Sequence, residues 1–102
     1  MQTEMPFEKP DPEIVIARGR HARALLADEM FRESVEAVEE KFTTAWKESI
    51  DLKDRETAWN IVRALKLVEA ELRIIDGAGQ YAERALDLRH RHGYGANLNL
   101  PA

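Results

Sequence analysis

Few residues of this chain have the type and spacing that chemistry needs, and each such set has a plainer reading. His90-Arg91-His92 places two imidazoles two positions apart. On a helix that spacing faces them to opposite sides, so they could share a metal only in an extended segment; solvated residues are the simpler reading. Glu36, Glu39 and Glu40 form a carboxylate cluster of the kind acid/base catalysis uses. They lie opposite the Val35, Val38 and Phe42 face, which makes them a solvated surface. Gly77-Ala78-Gly79 and Gly93-Tyr94-Gly95 match neither a phosphate-binding loop nor a dinucleotide fingerprint, and no strand precedes them. No Glu has a His three residues later, and His-Glu-x-x-His is absent, which removes the di-iron and thermolysin-type signatures. With no cysteine there is no disulfide, thiolate metal site or Cys nucleophile. The expectation is a protein that is not an enzyme, with no catalytic, cofactor or metal residues.

The elements that would position any such group are much clearer. Phe31, Val35, Val38, Phe42, Ala45 and Ser49 recur every three or four residues, as do Ala58, Ile61, Leu65, Val68, Leu72, Ile75, Gly79, Ala82 and Leu86. Each set lies along one face of a helix. The turn between them, Ile50 to Lys53, is short enough only to reverse the chain. This predicts an all-α protein built on an antiparallel helical hairpin.

Residues 1–10 read as an N-terminal tail, because Pro6, Pro10 and Pro12 oppose helix there. The helical domain is expected over residues 11–92 and an extended C-terminal tail over 93–102. Asp11 is a suitable cap for a first helix that runs to about Ala27, with Pro12 at its first position. Gly19 inside it is either a weak point, costing on the order of 1 kcal/mol, or a place where another helix packs closely. A break or kink is expected near 27–29, with Asp28 as a cap. Helix two should end near Ser49, with Trp46 covering the hairpin end, and Asp51 or Asp54 should cap helix three. Asp76-Gly77-Ala78-Gly79 interrupts that helix, but Ile75, Gly79, Ala82 and Leu86 keep phase across it. A kinked or continuous helix is therefore favoured over a true break at Gly77.

The composition of the 102 residues, 44% apolar and 33% charged, is that of a soluble helix-rich domain. No apolar run approaches the roughly 20 residues that span a bilayer. Met1–Pro12 shows no signal pattern, and a cytoplasmic location is expected. The net charge of −4 argues against broad nucleic-acid binding. Asp28–Glu56 carries ten acids against five bases. Arg18, Arg20 and Arg23 form one basic island, and Arg84, Arg89 and Arg91 belong to another. They are solvated faces or contacts to an acidic partner or, weakly, to DNA. A DNA-reading helix-turn-helix is disfavoured by the acidic Asp28-Glu29 junction.

Helix two is shorter than helix three, so residues 79–89 overhang. Either helix one folds back on them or another subunit covers them. A second apolar line, Val62, Ala70, Ile74, Tyr81, Ala85 and Leu88, strengthens the point, because one neighbour cannot bury two faces. The outcome is a three-helix bundle or an intersubunit bundle, and a homo-oligomer is expected. The interface is assigned to Ile61, Leu65, Val68, Leu72, Ile75, Tyr81 and Leu86.

The segment 18–80 carries Arg20-x-x-Arg23-Ala24-Leu25-Leu26-x-x-Glu29-x-Phe31, Trp46-Lys47-x-Ser49 and Arg55-Glu56-x-x-Trp59, and closes with Ala64-Leu65-x-x-Val68-x-x-x-Leu72-x-x-Ile75-x-Gly77. In this it resembles short helical proteins of tailed phages and prophages. The resemblance implies a phage gene product of head assembly or DNA packaging, working in the host cytoplasm with a packaging or other phage protein as partner. Small terminase subunits are similar in building rings from helical hairpins. They usually carry an N-terminal DNA-binding domain, for which this chain has no clear counterpart. The alternative expectation is a phage-encoded inhibitor of a host defence protein, acting by binding or by nucleotide sequestration.

Overall fold

The computed structural model describes residues 10–98, with side chains to Arg91. Among the described residues the protein is all-helical. Helix α1 spans Pro12–Ala27, α2 spans Glu29–Glu48 and α3 spans Leu52–Leu98. Each boundary has a local cause. The Asp11 carboxylate accepts the Glu13 N–H at 2.9 Å, and Pro12 needs no N–H partner where it stands. Asp28 alone separates α1 from α2. Its extended backbone (φ −69°, ψ 127°) stops α1, and its carboxylate accepts the Phe31 N–H at 2.8 Å to start α2. At the hairpin turn, Asp51 accepts the Lys53 N–H at 3.2 Å through its side chain and the Arg55 N–H at 3.0 Å through its carbonyl. Asp51, rather than Asp54, is therefore the cap.

Helix α3 is the spine. Its 47 residues make a rod of roughly 70 Å at 1.5 Å per residue. It runs unbroken through Gly77 and Gly79, with no glycine at positive φ among the described residues. The shared phase of Ile75, Gly79, Ala82 and Leu86 thus reflects one helix. Its backbone also stays helical past His92 to Leu98, where an extended tail was expected; a glycine there weakens a helix by about 1 kcal/mol without forbidding it. The expected N-terminal tail 1–9 and residues 99–102 lie outside the described residues.

The shorter helices lie end to end along this spine, both antiparallel to it. α2 covers its N-terminal half, pairing Trp46 with Trp59 and Glu39 with Lys66. α1 covers the C-terminal half, pairing Arg23 with Asp76 and Arg20 with Glu83. Helix one folds onto the overhang, the first of the two expected alternatives. Among the described residues the result is a slab, with no second layer to close it into a bundle.

The core is correspondingly thin. Among the described residues Ala22, Val35, Ala58 and Val62 are the buried apolar side chains, and no large side chain is fully buried. The stripe residues Phe31, Phe42, Ile61, Leu65, Leu72, Ile75, Ala82 and Leu86 are half-buried between helices, as the spacing implied. Val38 and Val68, on the same stripes, stay exposed. Under α1 the helices meet backbone to backbone. A Cβ on Gly19 would sit 2.7 Å from the Gly79 Cα and 3.0 Å from the Ile75 carbonyl oxygen. Only residues without side chains permit this approach, so Gly19 is a packing contact rather than a weak point.

Candidate interaction surfaces

Three surfaces collect the side chains that could engage something outside the chain. The first is the α1 end of the slab. The antiparallel pairing brings the two basic islands together, although they lie at opposite ends of the sequence. Acids interleave them. Arg20 pairs with Glu83 and Arg23 with Asp76, and Arg91 pairs with Asp87 one turn away. Arg18, Arg84 and Arg89 make no ion pair among the described residues. Arg23, Gln80, Glu83 and Arg84 line a shallow groove. Asp76 Oδ1 accepts Nε2 of Gln80 and Nε of Arg23, both at 3.0 Å. The Gln80 hydrogen bond foremost, then that of Arg23 and its charge, hold the Asp76 carboxyl below its ordinary range, against its partial desolvation. This surface is a mixed-charge lock between two helices. It is not a uniform cationic patch of the kind that tracks a phosphate backbone.

The second surface is the hairpin tip. Trp46 near the end of α2 and Trp59 in the second turn of α3 flank the loop, so the reversal brings their rings to 5.7 Å between centroids, tilted by 36°. The Arg55 guanidinium lies 5.3 Å from the Trp46 ring centroid, within reach of a cation–π attraction. Its Nε is buried without a hydrogen-bond partner. Trp46, Leu52, Arg55, Glu56 and Trp59 line an open groove, beside a loop whose Ile50 is almost wholly exposed. Sequence reasoning placed Trp46 at the hairpin end but did not join it to Arg55 and Trp59. The available signal was that both tryptophans flank one short turn.

The third surface runs along α3. Leu67, Ile74, Tyr81 and Leu88 are 64%, 62%, 74% and 50% exposed, and they recur every seven residues. Beside this line Ala78, Tyr81, Ala82 and Ala85 of α3 face Pro12 and Val15 of α1 across an apolar groove. Of the residues assigned to an interface, Ile61, Leu65, Leu72, Ile75 and Leu86 are half-buried within the chain, and Val68 and Tyr81 are exposed. Elsewhere, Lys66 Nζ lies 2.6 Å from Glu39 Oε2. That hydrogen bond, then the Glu39 charge, raises the Lys66 ammonium above its ordinary range.

Among the described residues no three His, Asp or Glu side chains gather where one ion could be held. No helix there is long and apolar enough to cross a membrane. No family model, curated protein or solved structure matches this chain.

Proposed function

We propose that this protein is a non-enzymatic, self-associating adaptor, of the phage assembly or DNA-packaging type that its central motifs resemble. One observation carries the reading. Along α3 the large apolar side chains Leu67, Ile74, Tyr81 and Leu88 stand 64%, 62%, 74% and 50% exposed, an apolar line of the kind that marks an interaction surface. A one-layer slab with half-buried stripes gains stability by covering its open faces. Within the two basic islands any DNA contact falls to Arg18, Arg84 and Arg89 and is weak and salt-dependent, because Arg20, Arg23 and Arg91 are paired with acids. Native mass spectrometry at about 10–100 µM, above the roughly micromolar upper end of standard-size interfaces, tests the reading. Defined multimers are expected; a monomer throughout that range overturns it.

The hairpin tip favours a second reading, an inhibitor of host defence that sequesters a nucleotide. Trp46 and Trp59 offer ring faces for a base, and Arg55 offers a cation for phosphate. Glu56 lines the same groove and opposes phosphate, which ranks this reading second. Calorimetric titration with mono- and cyclic nucleotides tests it: binding abolished by Trp46→Ala supports it, and absence of binding at millimolar ligand removes it.

A further inference from the structure

We infer that the chain pairs with a second copy of itself, antiparallel, through the line Leu67, Ile74, Tyr81 and Leu88 of α3, about a two-fold axis between Gly77 and Ala78. This names the partner surface of the self-association proposed above and rests on that reading. Three observations carry it.

The first is period. The four large residues repeat every seven positions over roughly 32 Å of helix, and among the described residues each stays at least half exposed. A straight helix drifts about 20° per seven residues, so a strict repeat of seven suits a supercoiled two-helix seam.

The second is shape. Small residues alternate with the large ones: Ala70 precedes Ile74, Gly77 and Ala78 lie midway between Ile74 and Tyr81, and Ala85 precedes Leu88. A Cβ on Gly77 would meet nothing within 4 Å, so that site is open on the outer side of α3. Gly79, two residues on, is filled by α1. The helix thus presents one glycine to each of two partners.

The third is charge. A two-fold between Gly77 and Ala78 sets Leu67 level with Leu88 of the second copy, Ile74 with Tyr81, Ala70 with Ala85, and Glu71 with Arg84. Glu71 and Arg84 are exposed and make no ion pair among the described residues. Antiparallel pairing therefore gives two opposite-charge levels. Parallel pairing sets Glu71 level with Glu71 and Arg84 level with Arg84, which disfavours it. The apolar groove between Val15 and Tyr81 opens at the level of Leu67 and Ile74 of the second copy and receives them. The two hairpin tips then stand at opposite ends of the dimer, about 75 Å apart.

Sedimentation equilibrium of the full chain and of Ile74→Asp/Tyr81→Asp tests the inference, with circular dichroism as the check on folding. Both positions are exposed within the chain, so helicity should hold while association weakens by on the order of 100-fold or more. Should the double variant lose helicity, Glu71→Arg replaces it. That change weakens pairing several-fold, and Glu71→Arg/Arg84→Glu restores it. Oxidative cross-linking fixes the direction: Ala78→Cys joins to itself across the two-fold, and Ile74→Cys joins to Tyr81→Cys but not to itself. Self-linkage of Ile74→Cys, with or without that of Ala78→Cys, overturns the antiparallel arrangement. Multimers unchanged by Ile74→Asp/Tyr81→Asp overturn this interface and leave self-association standing. A wild-type monomer at about 100 µM, well above the micromolar end of standard-size interfaces, overturns both.

Discussion

The two halves of α3 solve one packing problem in opposite ways. Under α1 the contact is made by absence: Gly19 and Gly79 let the backbones touch, Ala22 fills the space beside them, and Asp76 ties Arg23 at the edge. Under α2 it is made by bulk: Val35, Phe42 and Val62 fill the space beside Ala58, and Trp46 closes its end against the partly exposed Trp59. Register in the first half is set by atoms that must not be added, and in the second by atoms that must not be removed.

The sharpest way to break the contrast is to exchange the rule. Gly79→Val should cost about 3 kcal/mol or more, because its branched side chain meets backbone that cannot give way. Urea unfolding would read the loss, while the fluorescence of the Trp pair, set in the other half, stays native. Gly77→Ala, two residues away in open space, should instead add up to about 1 kcal/mol of helix stability at concentrations where the chain is monomeric.

Trimming is the matching insult to the α2 half. Trp46→Ala should cost about 2 kcal/mol, less than a fully buried aromatic because this ring is half-exposed. It should also abolish the near-ultraviolet dichroism of the ring pair and leave Arg55 without its aromatic platform. Asp28→Ala should cost about 1 kcal/mol by removing the cap that starts α2, and thermal melting would report it in both halves.

The smallest expected effect is electrostatic. The Asp76 carboxyl is held below its ordinary range when folded, so its contribution is present above the unfolded carboxyl pKa and fades as pH falls through the lower folded value. Urea midpoints measured from about pH 5 to pH 2 should show this acid-side loss in the wild type, and less of it in Asp76→Asn.

What could be read from the residues was periodic or local. The stripes fixed which faces meet, since spacings of three and four permit one geometry. Asp11 and Asp28 announced helix starts because a carboxylate can satisfy a nearby N–H without help from the rest of the fold. The unbroken course of α3 was foreshadowed by the conserved phase of Ile75, Gly79 and Ala82. The Gly19–Gly79 contact was only half visible: close packing was one of two readings of Gly19, but its partner lies sixty positions away, and spacing within a helix says nothing about which distant residue it meets. The interleaving of the basic islands with Asp76 and Glu83 was hidden for the same reason. The Trp46–Arg55–Trp59 cluster needed the turn in place before its members became neighbours. Of the exposed repeat of seven on α3, Ile74, Tyr81 and Leu88 stood in the second apolar line but Leu67 did not, and that line included Val62, which the fold buries.

Asp28 has a kinetic meaning. The α2–α3 hairpin closes across a short turn, between residues near in sequence, and such local contacts form early. The α1 contacts span much longer separations, 53 residues between Arg23 and Asp76. With the hairpin already made, that distance collapses to a one-residue joint, and α1 has only to swing about Asp28 to find Gly79. A helix of 16 residues is marginal on its own in water, so it should order as it lands. Hydrogen exchange would then show α1 opening as one cooperative unit, at a free energy below that of the hairpin.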